Sequence, residues 1–308
     1  MKNLLKKPWF ASLCAVICTA LWGSAYPVIK YSYAQLDIAS VADKLVFAGV
    51  RFVLAGLTVF IAAWIRRRAV PTVERRKIGG IILYGAVQTG LMYILNYIGV
   101  AHTSATKTSI LTAASAFFAV LFAPLFFRGE RLTARKLVGV IVGFGGIIAV
   151  NASGLDGGFS FSGEGLVLIA TLLNTAGSFI GKRVAKGRVF EATAYQLMIG
   201  GALILLAAEP MGGGFVLSAQ SLLLTLYLAF VSAAAFSLWT ALLTVHEAGR
   251  ILVFNLLIPV FGAVWSFIIL GERQIFDPMY LVSAALITVG IFLVNYHKKF
   301  PKPLSFFE

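Results

Sequence analysis

The sequence predicts an all-α polytopic membrane protein of ten transmembrane helices, arranged as two inverted five-helix repeats. Three observations predict it. The chain of 308 residues is 59% hydrophobic and 12% charged, with a mean hydropathy of +0.91; a soluble domain carries about 25% charged residues. Its apolar runs approach the roughly 20 residues that cross a hydrocarbon core about 30 Å thick. A signature also recurs. Gly129-Glu130-Arg131 and Gly271-Glu272-Arg273 each follow an apolar run, and each precedes a second run, closing on Gly146-Ile147-Ile148-Ala149-Val150-Asn151 or on Gly290-Ile291-Phe292-Leu293-Val294-Asn295. Glu130 and Glu272 lie 142 positions apart, and Asn151 and Asn295 lie 144 apart, so the chain reads as two copies of one unit.

Helices suit these runs better than barrel strands, because the runs are continuously apolar and lack period-two alternation. The first, Trp9–Tyr31, follows Lys2, Lys6 and Lys7 and so also looks like a secretory signal, with Gly23-Ser24-Ala25 as a weak cleavage point. The repeat requires this helix, so its retention is expected. Cys14 and Cys18, about one turn apart inside it, read as buried apolar thiols. The second run, Leu45–Ile65, carries Arg51. The third, Ile78–Gly99, carries Gln88, Tyr93 and Asn96 within an arc of about 140°. The fourth, Lys107–Phe127, leads into the first Gly-Glu-Arg. The fifth, Lys136–Asn151, contains Gly139-x-x-x-Gly143, a seam for packing helices within the chain or for a dimer face. The sixth, Glu164–Arg183, ends on Lys182 much as the first ends on Lys30. The seventh, Ala192–Ala208, stops before Glu209-Pro210; the eighth, Ser221–Leu243, holds Trp239; the ninth, Arg250–Leu270, holds Asn255 and Pro259; the tenth is Met279–Tyr296.

Residues 1–151 then form the first repeat, 152–163 a Gly/Ser-rich linker free of Lys and Arg, 164–297 the second repeat and 298–308 a tail. An odd number of spans per repeat turns the second copy upside down in the membrane.

The net charge of +14 would suit nucleic acid if it were clustered on one surface, but its distribution assigns it to topology. With the N-terminus in the cytoplasm, 21 of the 26 Lys and Arg residues fall on the inner side. Lys30, Lys44, Arg51, Lys107 and Arg273 are the exceptions. The positive-inside rule accounts for the split. It places both termini in the cytoplasm, the tail with them, and the linker outside, in a cell inner (plasma) membrane.

Arg51 is the sharpest candidate for chemistry. Counted from Leu45 it lies roughly 9 Å below the outer helix end, where a charge normally faces a cavity or a partner. It contacts a substrate carboxylate or other anion, or it snorkels to the headgroups on its long stem. All twelve acidic residues fall in loops or at helix ends; no carboxylate sits mid-membrane, where proton relays usually place one. Glu130 and Glu272 follow glycines that stop helices, with Glu130 pairing Arg131 or Arg135, or they form gate salt bridges. Tyr26, Gln88, Tyr93, Asn96, Ser115, Asn174, Trp239 and Asn255 are spread through the spans. Each alone reads first as an interhelical hydrogen bonder; together they describe a polar cavity uncharged apart from Arg51. Pro259 frees the Asn255 carbonyl and so joins the two glutamates as a gating candidate.

Trp22-Gly23-Ser24-Ala25-Tyr26-Pro27-Val28-Ile29-Lys30, Arg51-Phe52, the two Gly-Glu-Arg ends and Asn255-x-x-x-Pro259, in that order, resemble the EamA-type branch of the drug/metabolite transporter superfamily over about Trp9 to Tyr296. The resemblance implies a ten-helix transporter of small metabolites, usually exporting them. It also implies a central cavity among helices one to four and six to nine, with five and ten at the periphery. The chain departs from a symmetric pattern at one point: the counterpart of Pro259 is Phe117, with Pro124 seven residues later, which leaves a matched pair of kinks in doubt.

An intramembrane enzyme would need other groups. No His-Glu-x-x-His occurs, His102, His246 and His297 stand near helix ends, and no carboxylates cluster as a magnesium site requires. A non-transporting scaffold would not require an inverted repeat. The reading is therefore a transporter, not an enzyme, moving amino acids or similar zwitterions or anions by alternating access and outward. Its partners are a small-molecule substrate and membrane lipid, without nucleic acid or cofactor, as a monomer or weak homodimer.

Overall fold

A computed structural model describes residues 2–151, 158–215 and 218–296. Residues 152–157 of the expected linker and the 298–308 tail lie outside the described residues. Ten helices among those described are long and apolar enough to cross a membrane: α1 Pro8–Gln35, α2 Val41–Arg67, α3 Arg75–Ala101, α4 Ala105–Phe126, α5 Ala134–Asn151, α6 Phe161–Val184, α7 Val189–Met211, α8 Ala219–Val245, α9 Ala248–Leu270 and α10 Pro278–Asn295. The end of the bundle where α1 begins and α10 finishes is called the basic end here, after Arg66, Arg67, Arg128, Lys182 and Arg183.

Several helices start earlier than their apolar runs, because polar caps add a turn. The Ser40 hydroxyl accepts the Asp43 amide at 3.0 Å and starts α2 at Val41, four residues ahead of Leu45. Ser104 caps α4 at the Lys107 amide, and Ser218 and Ser221 form a reciprocal capping box on α8. The change at α2 matters for function. Arg51 now stands ten residues into the helix, about 15 Å below its end rather than about 9 Å, close to mid-bilayer.

The helix contacts map onto themselves when each helix is exchanged with the one five places along. α1 packs on α9 and α6 on α4; α1 on α8 and α6 on α3; α2 on α8 and α7 on α3. The pairs α2–α7, α5–α10 and α4–α9 are their own images. This is the pseudo-two-fold of an inverted repeat. α5 and α10 touch mainly each other and their chain neighbours α4 and α9, and so stand at the periphery. Their crossing uses the glycine seam inside the chain. A methyl at Gly139 would come within 2.8 Å of the Gly290 carbonyl oxygen, and one at Gly290 within 2.5 Å of the Gly139 carbonyl oxygen, which is how small residues let two backbones touch.

Two apolar cores support the frame. One joins α1, α4, α8 and α9 through Cys14, Cys18, Ala116, Ala119, Leu242 and Leu252. The other joins α2, α7 and α8 through Leu45, Phe52, Ala55, Leu197 and Ile204. Leu13, Ile61, Leu125, Leu206, Leu223, Phe230 and Leu281 are exposed on the outside, as a lipid-facing surface requires. Trp9, Trp64, Tyr31 and Tyr296 are exposed near helix ends, in the manner of interfacial aromatic belts.

Two helices depart from regular geometry within their lengths rather than at an end. α3 widens into a π-helical turn over Ala86–Leu91. α9 tightens into a 3₁₀ turn over Val253–Leu256, just ahead of Pro259, with the Leu257 amide turned to the Phe254 and Asn255 carbonyls. Proline has no N–H for the Asn255 carbonyl and its ring crowds that oxygen, which accounts for the break. Below it α9 packs on α4 through Ala248–Leu256; above it Leu257–Leu270 leans on α1 instead. The bundle is thus closed between α4 and α9 at the basic end and splayed at the opposite end.

Candidate functional site

Toward the splayed end α1, α2, α3 and α8 converge, and we take the space beside exposed Tyr26 and half-buried Trp22, Tyr93 and Tyr97 as a recess. Ring contacts run through it without a gap: Tyr97 to Tyr93 at 6.2 Å, Tyr93 to Phe52 at 4.5 Å, Phe52 to Phe236 at 6.3 Å, Phe236 to Trp22 at 5.4 Å and Trp22 to Trp239 at 5.0 Å. Helical spacing builds this line locally, since Tyr93 and Tyr97 are four residues apart and share a face, as do Trp22 and Tyr26. Tyr26, one turn above Trp22, is 60% exposed yet stands within electrostatic reach of Arg51 and Tyr97. It faces open space inside the bundle.

Arg51 sits on this aromatic wall. Its side chain is 4% exposed, and its guanidinium lies 4.3 Å from the Phe52 ring centre and 5.9 Å from that of Tyr93. No ion pair or hydrogen bond reaches it among the described residues, and its Nε is buried without a partner. The side chain stacks on rings near mid-depth instead of extending to headgroup level. A buried guanidinium without an anion has a strong unmet demand for one.

Of the residues singled out in the sequence, Arg51, Tyr26, Tyr93 and Trp239 come together here. Gln88 and Asn174 meet elsewhere, at the α3–α6 crossing, where the Gln88 amide donates to Asn174 Oδ1 at 2.8 Å and leaves its own Oε1 buried and unpaired. Ser115 is buried beside α6, its carbonyl accepting from Thr175 at 3.5 Å. Asn96 is half-buried, and Asn255 holds a buried, unpaired Oδ1 on the 3₁₀ turn of α9. None of Ser115, Asn96 and Asn255 joins the ring line by a hydrogen bond or ring contact among the described residues. Sequence reasoning missed Trp22, Phe52, Phe236 and Tyr97 as wall residues; the Trp22–Lys30 motif and the pairs Arg51-Phe52 and Tyr93-Tyr97 carried a signal, whereas Phe236 had none.

The two Gly-Glu-Arg ends are finished differently. Glu130, 6% exposed, accepts the Ala248 amide at 2.8 Å and the Gly249 amide at 3.3 Å at the start of α9, and pairs with Lys182 Nζ at 2.9 Å. It caps the positive end of α9 from across the bundle, where Glu247 at the cap position makes no side-chain cap bond. Its partners are therefore Lys182 and two amides, not Arg131 or Arg135. Lys182 also reaches the His246 carbonyl, and Arg183 donates to the Phe126 carbonyl at 2.5 Å. Gly129 does not stop α4, which ends in extended backbone at Phe127. Gly271 does stop α9, in a left-handed conformation with φ 71°, and the Glu272 amide reaches back to the Ser266 carbonyl. Glu272 pairs with Lys30, which is 70% exposed.

A second cluster reinforces the basic end, with Lys136 at 2.5 Å and Arg250 at 3.1 Å from Glu247 Oε2. Partial burial pushes the Glu247 carboxyl up, but the hydrogen-bonded Lys136 ammonium and the Arg250 charge outweigh it and hold the group below its ordinary value. Among the described residues no group of three or more His, Cys, Asp or Glu could hold a metal ion. What this arrangement offers is anion binding beside aromatic surface, between a closed end and an open one.

A "Probable amino-acid metabolite efflux pump" of Salmonella typhimurium is 26% identical over 302 residues, covering 94% of each chain. Its namesake in Escherichia coli is 24% identical, covering 91% of this chain and 92% of its own. An "Uncharacterized inner membrane transporter YedA" of Escherichia coli is 26% identical over 67% of this chain and 63% of its own. A crystal structure with 16% sequence identity superposes with a TM-score of 0.76, covering 91% of this chain and 94% of the other, and so shares the fold. The model of the EamA-like transporter family matches residues 9–152 and again 161–296. With ten membrane-length helices and this double match over nearly its whole length, the chain is a multi-pass membrane protein and a transporter of small molecules rather than an enzyme, and it belongs to the EamA-like transporter family.

Proposed function

We propose that the protein exports small carboxylate-bearing organic metabolites across the inner membrane by alternating access, holding the carboxylate at Arg51. One observation carries the reading: a guanidinium near mid-depth, 4% exposed, stands on an aromatic wall with no counter-ion. The names of the relatives, amino-acid metabolite efflux pumps, support the substrate class and the outward direction. The distribution of basic residues supports cytoplasmic termini, so the basic end faces inward and the recess opens outward.

The inverted repeat supplies the other state. Glu130 acts as the inner gate by capping α9 at Ala248 and Gly249. Shifting those positions by the 142-residue offset gives Thr106 and Lys107, the first turn of α4. In the inward-open state Glu272, beside Lys30, takes those amides in place of Ser104, and Glu130 lets α9 go. The Pro259 break is the hinge about which α9 swings. With every acidic residue at a helix end or loop, transport runs by facilitated flux, by exchange or by coupling through peripheral groups, and an imposed pH gradient alters its rate only modestly. Strong proton-driven accumulation would implicate a helix-end carboxylate such as Glu209.

Transport in proteoliposomes across a metabolite panel tests the substrate class. Arg51→Ala lowers carboxylate transport about ten- to a hundredfold, the value of a charge-assisted hydrogen bond, with normal yield of folded protein; unchanged kinetics would remove Arg51 from the site. Orientation is tested in a background lacking Cys14 and Cys18. An impermeant thiol reagent added outside labels Ser160→Cys and leaves Arg67→Cys unlabelled, and the reverse pattern would invert the topology.

A further inference from the structure

We infer that the Arg51 recess selects organic monoanions with an aromatic body and no ammonium group, in preference to the zwitterionic amino acid of the same skeleton. The inference rests on the carboxylate-binding reading above and narrows it to a substrate class. It follows from what faces the recess on every side.

Among the described residues Arg51 is the one charged side chain deep in the walls; toward the open end Lys44 stands over the Tyr33 ring at 5.5 Å and Lys30 pairs with Glu272. α1, α3 and α8 contain no acidic residue along their whole lengths. On α2 there is Asp43 alone, about 12 Å along the axis from Arg51, and both its oxygens are engaged, one by the Ser40 hydroxyl at 2.6 Å and the other by the Gly214 amide at 2.9 Å. Behind α2, α7 carries Glu191, paired with Arg67 at the basic end, and Glu209 in its last turn at the opposite end. The carboxylates at the α4–α6–α9 corner pair with Lys182 and Lys136. A substrate ammonium beside Arg51 finds no unpaired carboxylate among the described residues to neutralise it, since Glu272 at the open end is held by Lys30.

Rings are the alternative partner for an ammonium, and the two nearest are taken. Phe52 and Tyr93 carry the Arg51 guanidinium at 4.3 and 5.9 Å. An α-ammonium sits one carbon from the carboxylate that Arg51 holds, so it lies about 5–6 Å from the guanidinium, where like charges repel across a partly dehydrated space. Removing the ammonium removes that repulsion and the cost of stripping its water. Tyr26, 60% exposed, and the half-buried Trp22 and Tyr97 present surface to a planar apolar body, with Trp239 buried behind Trp22. The recess therefore suits an aryl-alkanoate better than an amino acid.

The test uses the full chain in detergent and in proteoliposomes. Trp22 and Trp239 report binding by fluorescence, and counterflow reports transport. Four ligands of one skeleton are compared: phenylpropanoate, phenylalanine, phenylpropanamide and phenethylammonium. Phenylpropanoate is expected to bind at least about tenfold more tightly than phenylalanine, a gap that one uncompensated like-charge contact can produce, and the amide and the amine are expected to show no saturable binding in that range. Arg51→Gln should erase the advantage of the acid over the amide. Tyr26→Glu, which places a carboxylate within reach of a bound ammonium, should move the preference toward phenylalanine. Phenylalanine binding as tightly as phenylpropanoate would overturn the selectivity and leave the carboxylate reading standing. The amide matching the acid would overturn that reading itself. Counterflow of a short aliphatic acid without counterflow of phenylpropanoate would overturn the aromatic body.

Discussion

The end of α4 and the end of α9 carry the same three residues, yet they are completed by different means. α9 caps itself, with Gly271 at φ 71° turning the chain back on its own last carbonyls. α4 is capped by its partners: Arg183 of α6 holds the Phe126 carbonyl, and Glu130 reaches across to the first amides of α9. A self-capped end is complete whichever way the bundle leans. An end completed by another helix is complete in one state only. Glu130 is buried with two amides and an ammonium, whereas Glu272 holds one solvent-exposed lysine. In the alternating access proposed above the two ends are equivalent gates, and of the two glutamates Glu130 has the buried contacts in this state.

The largest effect should come from breaking the buried gate. Removing one partner of a buried ion pair costs about 3–5 kcal/mol, against about 0–1 kcal/mol for an exposed pair. Glu130→Gln keeps the shape and one acceptor but removes the charge that Lys182 and the α9 amides require. A cysteine at Ala123, buried in the α4 face of the closed end, reports the result in a background without Cys14 and Cys18. Labelling of Ala123→Cys from the basic side should accelerate by at least about tenfold with Glu130→Gln, in line with that cost, and change less than about threefold with Glu272→Gln. Equal acceleration by both substitutions would mean that the two gates share the closure evenly.

Why one gate was legible in the sequence and the other was not follows from how each is built. Gly271 acts locally, through its own φ, so a glycine after an apolar run is enough to foresee the end of α9. The same reasoning places a stop at Gly129, and α4 ends at Phe127 instead, because its partners Arg183 and the α9 amides lie 57 or more positions from the groups they bind and no local pattern announces them. The ten spans were legible because bilayer thickness sets their length and composition. Their starts were not, since Ser40, Ser104 and Ser218 extend helices into polar sequence. Arg51 was legible as a costly charge, and its true depth waited on the Ser40 cap. Gln88 and Asn174 looked like cavity groups, but the Gln88 amide is spent on Asn174, which only the α3–α6 crossing reveals.

A middle-sized effect should come from the hinge that separates the two ends. α4 runs unbroken where α9 breaks, matching Phe117 against Pro259. Pro259→Ala restores an N–H for the Asn255 carbonyl and straightens the segment that diverges from α4. Transport should slow several-fold while affinity for substrate, measured by fluorescence, stays within about twofold, because a change confined to the opening step alters rate and not ground-state binding. A loss of affinity as large as the loss of rate would place Pro259 in the recess wall instead of the hinge.

The smallest effect concerns the Glu247 cluster, which the repeat does not duplicate. By the 142-residue offset the counterparts of Glu247 and Lys136 are Ala105 and Pro278, and the opposite end is tied differently, with Glu164 of α6 held by Lys107 and Thr103 at the α4 start at 2.8 Å each. The Glu247 carboxyl is held below its ordinary value by Lys136 and Arg250. A carboxyl with a depressed folded pKa adds stability that is present above its unfolded value, about 4.3 for glutamate, and is lost as pH falls through the folded value. The contribution of Glu247 is therefore full at neutral pH and declines only in the acid range. Thermal unfolding of wild type and Glu247→Gln should differ by a constant, small offset above about pH 5, and the two curves should converge as the pH falls below about 4, where the wild-type carboxyl takes up its proton. Curves that converge instead as pH rises toward neutrality would mean that Glu247 is protonated in the folded state and that its lysine and arginine neighbours do not reinforce the closed end.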